Sequence, residues 1–238
     1  MALLGAHKEA ILAIAGVFLF LPTFLFAQFV QQPVLTGDED GSAMLVIYSV
    51  YFSENALPIM LSNLVISFGG LVIYFTLAPS RNHTVADDLT AALKVFLIYL
   101  LANLLTGFLT LIGFFFLILP GLYLASRFSL VPIVIVDQQE RNPVEALRQS
   151  WSLTRNNGFS ILLFVLIIAI VGTITVGALQ AVTGIVTGLA TSGTGWPFVE
   201  NLVASLTGTA FQLVLAVVIM SIYIELSGRK SDVREIFN

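Results

Sequence analysis

The chain has 238 residues, of which 58% are hydrophobic and 10% charged, with a mean hydropathy of +0.98 and a formal net charge of -4; a soluble domain carries about 25% charged residues. Its polar side chains are too few to cover a water-soluble globule and cluster between long apolar runs, so one helical membrane domain spanning residues 1–238 is the economical reading. With no cysteine, disulfides, thiolate nucleophiles, zinc knuckles and iron–sulfur ligation are excluded.

The first apolar run covers residues 10–30, behind Lys8. It is longer than the roughly 7–15 residues of a signal-peptide core, and Leu25-Phe26-Ala27 is a poor small-x-small cleavage site, so it reads as a retained span. A helix needs about 20 apolar residues to cross a bilayer. Further segments qualify at about 56–77, 93–119, 121–136, 159–181 and 198–224, the fourth being short. The prediction is an all-α, polytopic membrane protein whose six transmembrane helices form three hairpins.

The loops supply the orientation. Residues 31–55 hold only acids (Asp38, Glu39, Asp40, Glu54), and residues 182–199 hold no charge. With an inside N-terminus, Lys8, Arg81, Lys94, Arg141, Arg148, Arg155, Arg229, Lys230 and Arg234 all fall on one side, nine of the ten basic residues. This positive-inside asymmetry predicts both termini in the cytosol of a plasma membrane. "TSGTGWP" at 191–197 reads as an external turn with Trp196 at the interface.

Spans three and four meet at Pro120-Gly121, where a missing donor and a permissive backbone predict a sharp hairpin or a buried helix break. The apolar run 159–189 would be about 46 Å long as continuous helix, so part of it must tilt, break or project.

"NPVEALRQSWSLTR" opens with Asn142 as cap, Pro143 at the first helical position and Glu145 three residues after the cap, resembling a capping box. A helix over about 142–156 follows, with Val144, Leu147, Trp151 and Thr154 on one face and Arg148, Ser152 and Arg155 with Glu145 and Gln149 on the other. This basic, amphipathic, juxtamembrane pattern predicts a helix lying along the inner surface, with Arg141, Arg148, Trp151 and Arg155 positioned toward acidic lipid. "TVADDLTAAL" at 84–93 aligns with it: Thr84 matches Asn142, Asp87 matches Glu145, Leu89 matches Leu147, Ala92 matches Ser150 and Leu93 matches Trp151. A second surface helix is therefore expected at about 84–92. Asp137 with Arg141 is expected to close the turn beneath the fourth span.

The run "LPGLYLASRFSLVPIVIVD" (119–137) followed by "NPVEALRQSWSLTRNN" resembles the membrane domain of glycerophosphodiester phosphodiesterases and the related YciC-type bacterial membrane proteins, most clearly over residues 84–175. Pro120, Gly121, Tyr123, Arg127, Asp137, Ala146, Leu147, Ser150 and Trp151 occupy the motif positions. The resemblance implies a helical bundle of the bacterial inner membrane. It implies no catalysis, because the phosphodiesterase chemistry of the fused enzymes belongs to a separate soluble barrel.

Arg127 is a charge within a span, about 9 Å along the helix from Gly121. Such a charge costs a few kcal/mol and needs a partner. Candidates are Glu54, Glu200, Asn103, Gln180 and Gln212; the alternatives are an internal ion pair that fixes helix packing and a site for an anionic lipid. His83, Asp87 and Asp88 do not form a metal-ligand pattern, and no G-x-S-x-G, Walker loop or H-E-x-x-H occurs. Small residues at Thr173, Gly177, Ala181, Gly184 and Gly188, and at Ala204 and Gly208, allow close helix approach, either between spans five and six or in a homodimer or with another membrane protein. The functional expectation is a non-catalytic, accessory or lipid-interacting membrane component without cofactor, metal or nucleic-acid partner, its lipid partners being anionic. A small transporter or lipid translocator with Arg127 in its pathway is the alternative, and an intramembrane enzyme ranks below both.

Overall fold

The computed structural model describes residues 2–30, 32–33, 37, 40–78 and 84–228. Expectations for Asp38, Glu39, Arg81, His83, Arg229, Lys230 and Arg234 lie outside the described residues. The helices are α1 (Ala2–Ala15), a π-helical turn (Gly16–Phe20), α2 (Leu21–Phe29), α3 (Gly41–Glu54), α4 (Ala56–Leu77), α5 (Val85–Phe116), α6 (Ile118–Phe128), α7 (Val131–Gln138), α8 (Pro143–Leu153), α9 (Gly158–Ala190) and α10 (Pro197–Leu226). No strand occurs among the described residues. Among the described residues, six segments are long and apolar enough to cross a membrane: Lys8–Phe29, α4, α5, Ile118–Gln138, α9 and α10.

Two of these spans are irregular, and proline accounts for both. Pro22 cannot donate to the Phe18 carbonyl, and the first span widens to a π turn immediately before it. Pro132 likewise cannot donate to Phe128, and the fourth span divides into α6 and α7 at Ser129 and Leu130.

The hairpin between α5 and α6 turns at Leu117, whose backbone is fully extended (φ -165°, ψ 156°), and not at Pro120-Gly121. Pro120 falls in the first turn of α6, where its missing N–H has no intrahelical partner to lose. Gly121 serves close approach instead: a Cβ there would lie 2.4 Å from the Phe114 ring, and a Cβ on Gly113 would lie 2.9 Å from the Gly121 Cα. The two helices touch at their backbones beside the turn.

Residues 84–92 do not form a separate surface helix. The Thr84 cap is real and its box is complete, with Asp87 accepting from the Thr84 N–H (3.0 Å) and Thr84 Oγ1 accepting from the Asp87 N–H (3.3 Å), but α5 then runs unbroken for 32 residues into the membrane segment. Nothing between Leu93 and Phe116 interrupts helical hydrogen bonding, so the chain has no reason to bend where the charge ends. Helix α9 is likewise continuous over 33 residues, so the apolar run 159–189 does not break and extends as one helix beyond 181. Helix α3, within a stretch read as loop, begins at an Asp40 cap whose carboxylate accepts from Ala43 N (2.8 Å) and Ser42 Oγ (2.6 Å).

The core gathers around α7, whose Val131, Ile133, Val134, Ile135 and Val136 are buried, with Leu71, Val72 and Ile73 of α4 and Met220 and Tyr223 of α10. Helix α8 packs on α5, α6 and α7; α9 packs on α10 and α6, and α10 on α9, α2 and α4, and both stay largely uncovered. The α9–α10 hairpin does not close on the small-residue stripe. A Cβ at Gly177, Gly184, Gly188 or Gly208 would meet nothing within 4 Å, and Ala181 is exposed; Ala204 is half-buried. Among the glycines Gly172, Gly177, Gly184, Gly188 and Gly208, Gly172 is the one set against the opposite helix, where a Cβ would lie 1.9 Å from Phe211. Small residues mark where helices can meet, and a single large ring opposite Gly172 decides where these do.

Candidate functional site

Arg127 stands in the last turn of α6, where a cation favours the helix dipole, and is 3% exposed. None of its expected partners reaches it. Glu200, in the first turn of α10, accepts from Thr187 Oγ1 and from the Trp196 N–H (3.0 Å), closing the α9–α10 turn. Glu54, Gln180 and Gln212 are exposed, and Asn103 lines a groove between α5 and α6 with Ala125, Phe128 and Ser129. Those three residues occupy a different face of α6 from Arg127, so Asn103 faces away from the guanidinium.

The guanidinium faces α8 and the start of α9. Its carbon lies 4.1 Å from the centre of a Trp151 ring and 5.4 Å from that of Tyr123. Tyr123 precedes Arg127 by one helical turn, so the i to i+4 spacing sets its ring beside the charge. Arg127 Nη1 donates to Thr154 Oγ1 (3.1 Å), which in turn donates to the Ser150 carbonyl (2.8 Å), while Ser150 Oγ donates to the Arg127 carbonyl (2.7 Å). These bonds fasten α6 to α8. Gly158, the first residue of α9, completes the wall: a Cβ there would stand 3.0 Å from Arg127 Cδ and 3.2 Å from the Tyr123 hydroxyl.

This enclosure leaves the ion under-partnered. A guanidinium has five N–H donors, and among the described residues Thr154 satisfies only one; Nε is buried without a partner. No carboxylate of the described residues forms a salt bridge with Arg127, the ion pair present being Arg148–Glu145 at 3.8 Å on the exposed side of α8. Two aromatic faces attract a desolvated cation by about 2 kcal/mol. Its lost hydration costs several kcal/mol.

Helix α8 begins as expected, with Asn142 Oδ1 accepting from the Val144 N–H (3.0 Å), but Glu140 and not Glu145 takes the Asn142 N–H (2.9 Å). Its inward face is Ala146, Leu147, Ser150 and Thr154; Val144 and Trp151, expected there, are 63% and 38% exposed. This face meets α6 through Ser150 and Thr154, whose hydroxyls bond the Arg127 carbonyl and guanidinium. Arg141, Arg148 and Arg155 are exposed. Asp137 accepts from the Tyr223 hydroxyl (2.6 Å), tying α7 to α10 in place of the expected closure with Arg141. Asp88 is also tied internally, accepting from Thr76 Oγ1 (3.0 Å).

A family profile matches residues 41–226, more than three quarters of the chain. The chain belongs to the family described as domain of unknown function DUF7847. No curated protein and no solved structure matches it. The DUF7847 region starts at the first residue of α3 and ends at the last of α10. The whole Arg127 cluster therefore falls within it, as do α8 and the open α9–α10 hairpin, while α1 and α2 stand outside.

Proposed function

We propose that this chain is a non-catalytic, multi-pass component of a bacterial plasma membrane whose Arg127 cluster engages the phosphate of an anionic lipid. One observation carries the reading: a guanidinium that is 3% exposed has one bonded N–H of five and no salt bridge among the described residues. A phosphate diester supplies the missing charge and two acceptor oxygens in the planar geometry a guanidinium suits. Trp151, which is both stacked on Arg127 and 38% exposed, links the buried charge to the surroundings. Arg148 and Arg155, exposed on the same helix, add the attraction of a basic rim to an acidic leaflet, about 1 kcal/mol each. The positive-inside pattern and the motif resemblance support a cytosolic position for α8 and a bacterial inner membrane.

The test is native mass spectrometry of the full chain with equal phosphatidylglycerol and phosphatidylcholine. The wild type should retain phosphatidylglycerol selectively and Arg127→Gln should not. Equal retention by the two folded proteins rejects the reading.

A further inference from the structure

On the side of α6 away from Arg127 lies a second feature, a groove of about 490 Å³ between α5 and the α6–α7 span, open along one side. Its lining is mostly apolar, but Tyr74, Asn103, Thr106, Thr110 and Ser129 contribute polar groups and none is charged. Asn103, Thr106 and Thr110 succeed one another at helical spacing, so α5 presents a polar strip inside a segment apolar enough to cross a membrane.

The threonines behave unusually. In helices of this chain, Thr23, Thr90, Thr175, Thr183 and Thr207 each return their hydroxyl to the carbonyl four residues back, at 2.7 to 2.8 Å. Thr209 of α10 does not, and neither do Thr106 and Thr110: all three hydroxyl oxygens are buried and without a hydrogen-bond partner, and of them Thr106 and Thr110 line this groove. The two lie about 15 and 9 Å from the Phe116 end of α5, where water is scarce and an unmet hydroxyl is costly. Gly107 leaves the groove open, since a Cβ there would meet no atom within 4 Å.

We infer that this groove binds an uncharged lipid through its ester, carbonyl or hydroxyl oxygens, with Thr106 and Thr110 turning to donate to them and Asn103 beside them. Absence of charge in the lining selects against a phosphate-bearing head group, which separates this site from the one at Arg127. The apolar walls accept the chains, and the hydroxyl strip fixes the oxygens' depth.

The test uses the full chain in lipid nanodiscs and a diacylglycerol carrying a photoactivatable acyl chain, with labelled peptides mapped by mass spectrometry. Controls are a phosphatidic acid and an oxygen-free hydrocarbon bearing the same photoactivatable chain. Diacylglycerol should label residues 103–132 more strongly than either control. Thr106→Val with Thr110→Val should lower that labelling by roughly fivefold or more, as expected for lost hydrogen bonds, while Thr106→Ser with Thr110→Ser retains it. Gly107→Leu, which fills the groove without touching the hydroxyls, should lower it as well. Arg127→Gln should leave it unchanged, so failure of the anionic-lipid reading and failure of this one are distinguishable. Equal labelling of wild type and the valine pair, equal labelling by the hydrocarbon, or insensitivity to Gly107→Leu overturns the inference.

Discussion

Arg127→Met is expected to stabilise the lipid-free protein while abolishing its response to anionic lipid. In the wild type, several kcal/mol of lost hydration are offset by about 1.5 to 3 kcal/mol from the bond to Thr154 and about 2 kcal/mol from the faces of Trp151 and Tyr123. With the lost hydration taken as about 5 kcal/mol, these gains of about 3.5 to 5 kcal/mol leave a balance unfavourable by up to about 1.5 kcal/mol. Methionine fills a similar volume without charge, and Thr154 keeps its bond to the Ser150 carbonyl, so no new orphan is created. The melting temperature in neutral detergent should rise by about 2 to 4 °C for each kcal/mol of that balance in a chain of this length. A ligand at a hundred times its dissociation constant stabilises by about 2.7 kcal/mol, which should raise the wild type by about 5 to 10 °C in phosphatidylglycerol and leave Arg127→Met unmoved. Thermal unfolding followed by tryptophan fluorescence measures both. If Arg127→Met melts lower without lipid, and phosphatidylglycerol raises both proteins equally, the arginine is a packing strut and the reasoning fails.

Gly172→Ala should loosen the α9–α10 hairpin by about 1 to 3 kcal/mol through overpacking, since its methyl would fall 1.9 Å from Phe211; Phe211→Ala in the same chain should restore much of the loss, and thermal melts of the two variants show whether it does. The Asp40 carboxyl is held below its ordinary value of 3.8, chiefly by the Ser42 hydroxyl and then by the Ala43 N–H. A lowered folded-state value means that the cap is at full strength above 3.8 and decays as pH falls through the depressed value. Amide exchange at the start of α3, corrected for intrinsic rates, should therefore hold steady on mild acidification and accelerate only below that range, and Asp40→Asn should remove the dependence. In a chain with no natural cysteine, Thr194→Cys should react with an impermeant thiol reagent on intact cells and Gln138→Cys should not; the reverse result inverts the topology.

Helix existence was legible because its signals are local. Thr84, Asn142 and Pro143 start helices where capping chemistry requires, and long apolar runs have few other solutions in lipid. Helix α3 carried a comparable signal, Asp40 before an apolar run, but its 14 residues are too few to span, and length was the wrong criterion for it. The partners of Arg127 were not legible as a set. Tyr123 could have been found from its spacing, whereas Thr154 and Gly158 reach the site only because α8 folds back onto α6, an arrangement no periodicity encodes. Asn103 illustrates the same limit, since its polarity was evident but the side of α6 it would face was not.

Helix α9 has a further implication for the host membrane. Its apolar stretch of about 46 Å, inclined at the steep end of the usual range, about 40°, still reaches about 35 Å, more than the hydrocarbon of an average bilayer. Ile185, Val186 and Leu189, near its far end, are 63%, 58% and 81% exposed. Lipids around this rod must stretch to sheathe it, so the chain should partition toward thicker, more ordered patches and register changes in bilayer thickness as changes in its own lean.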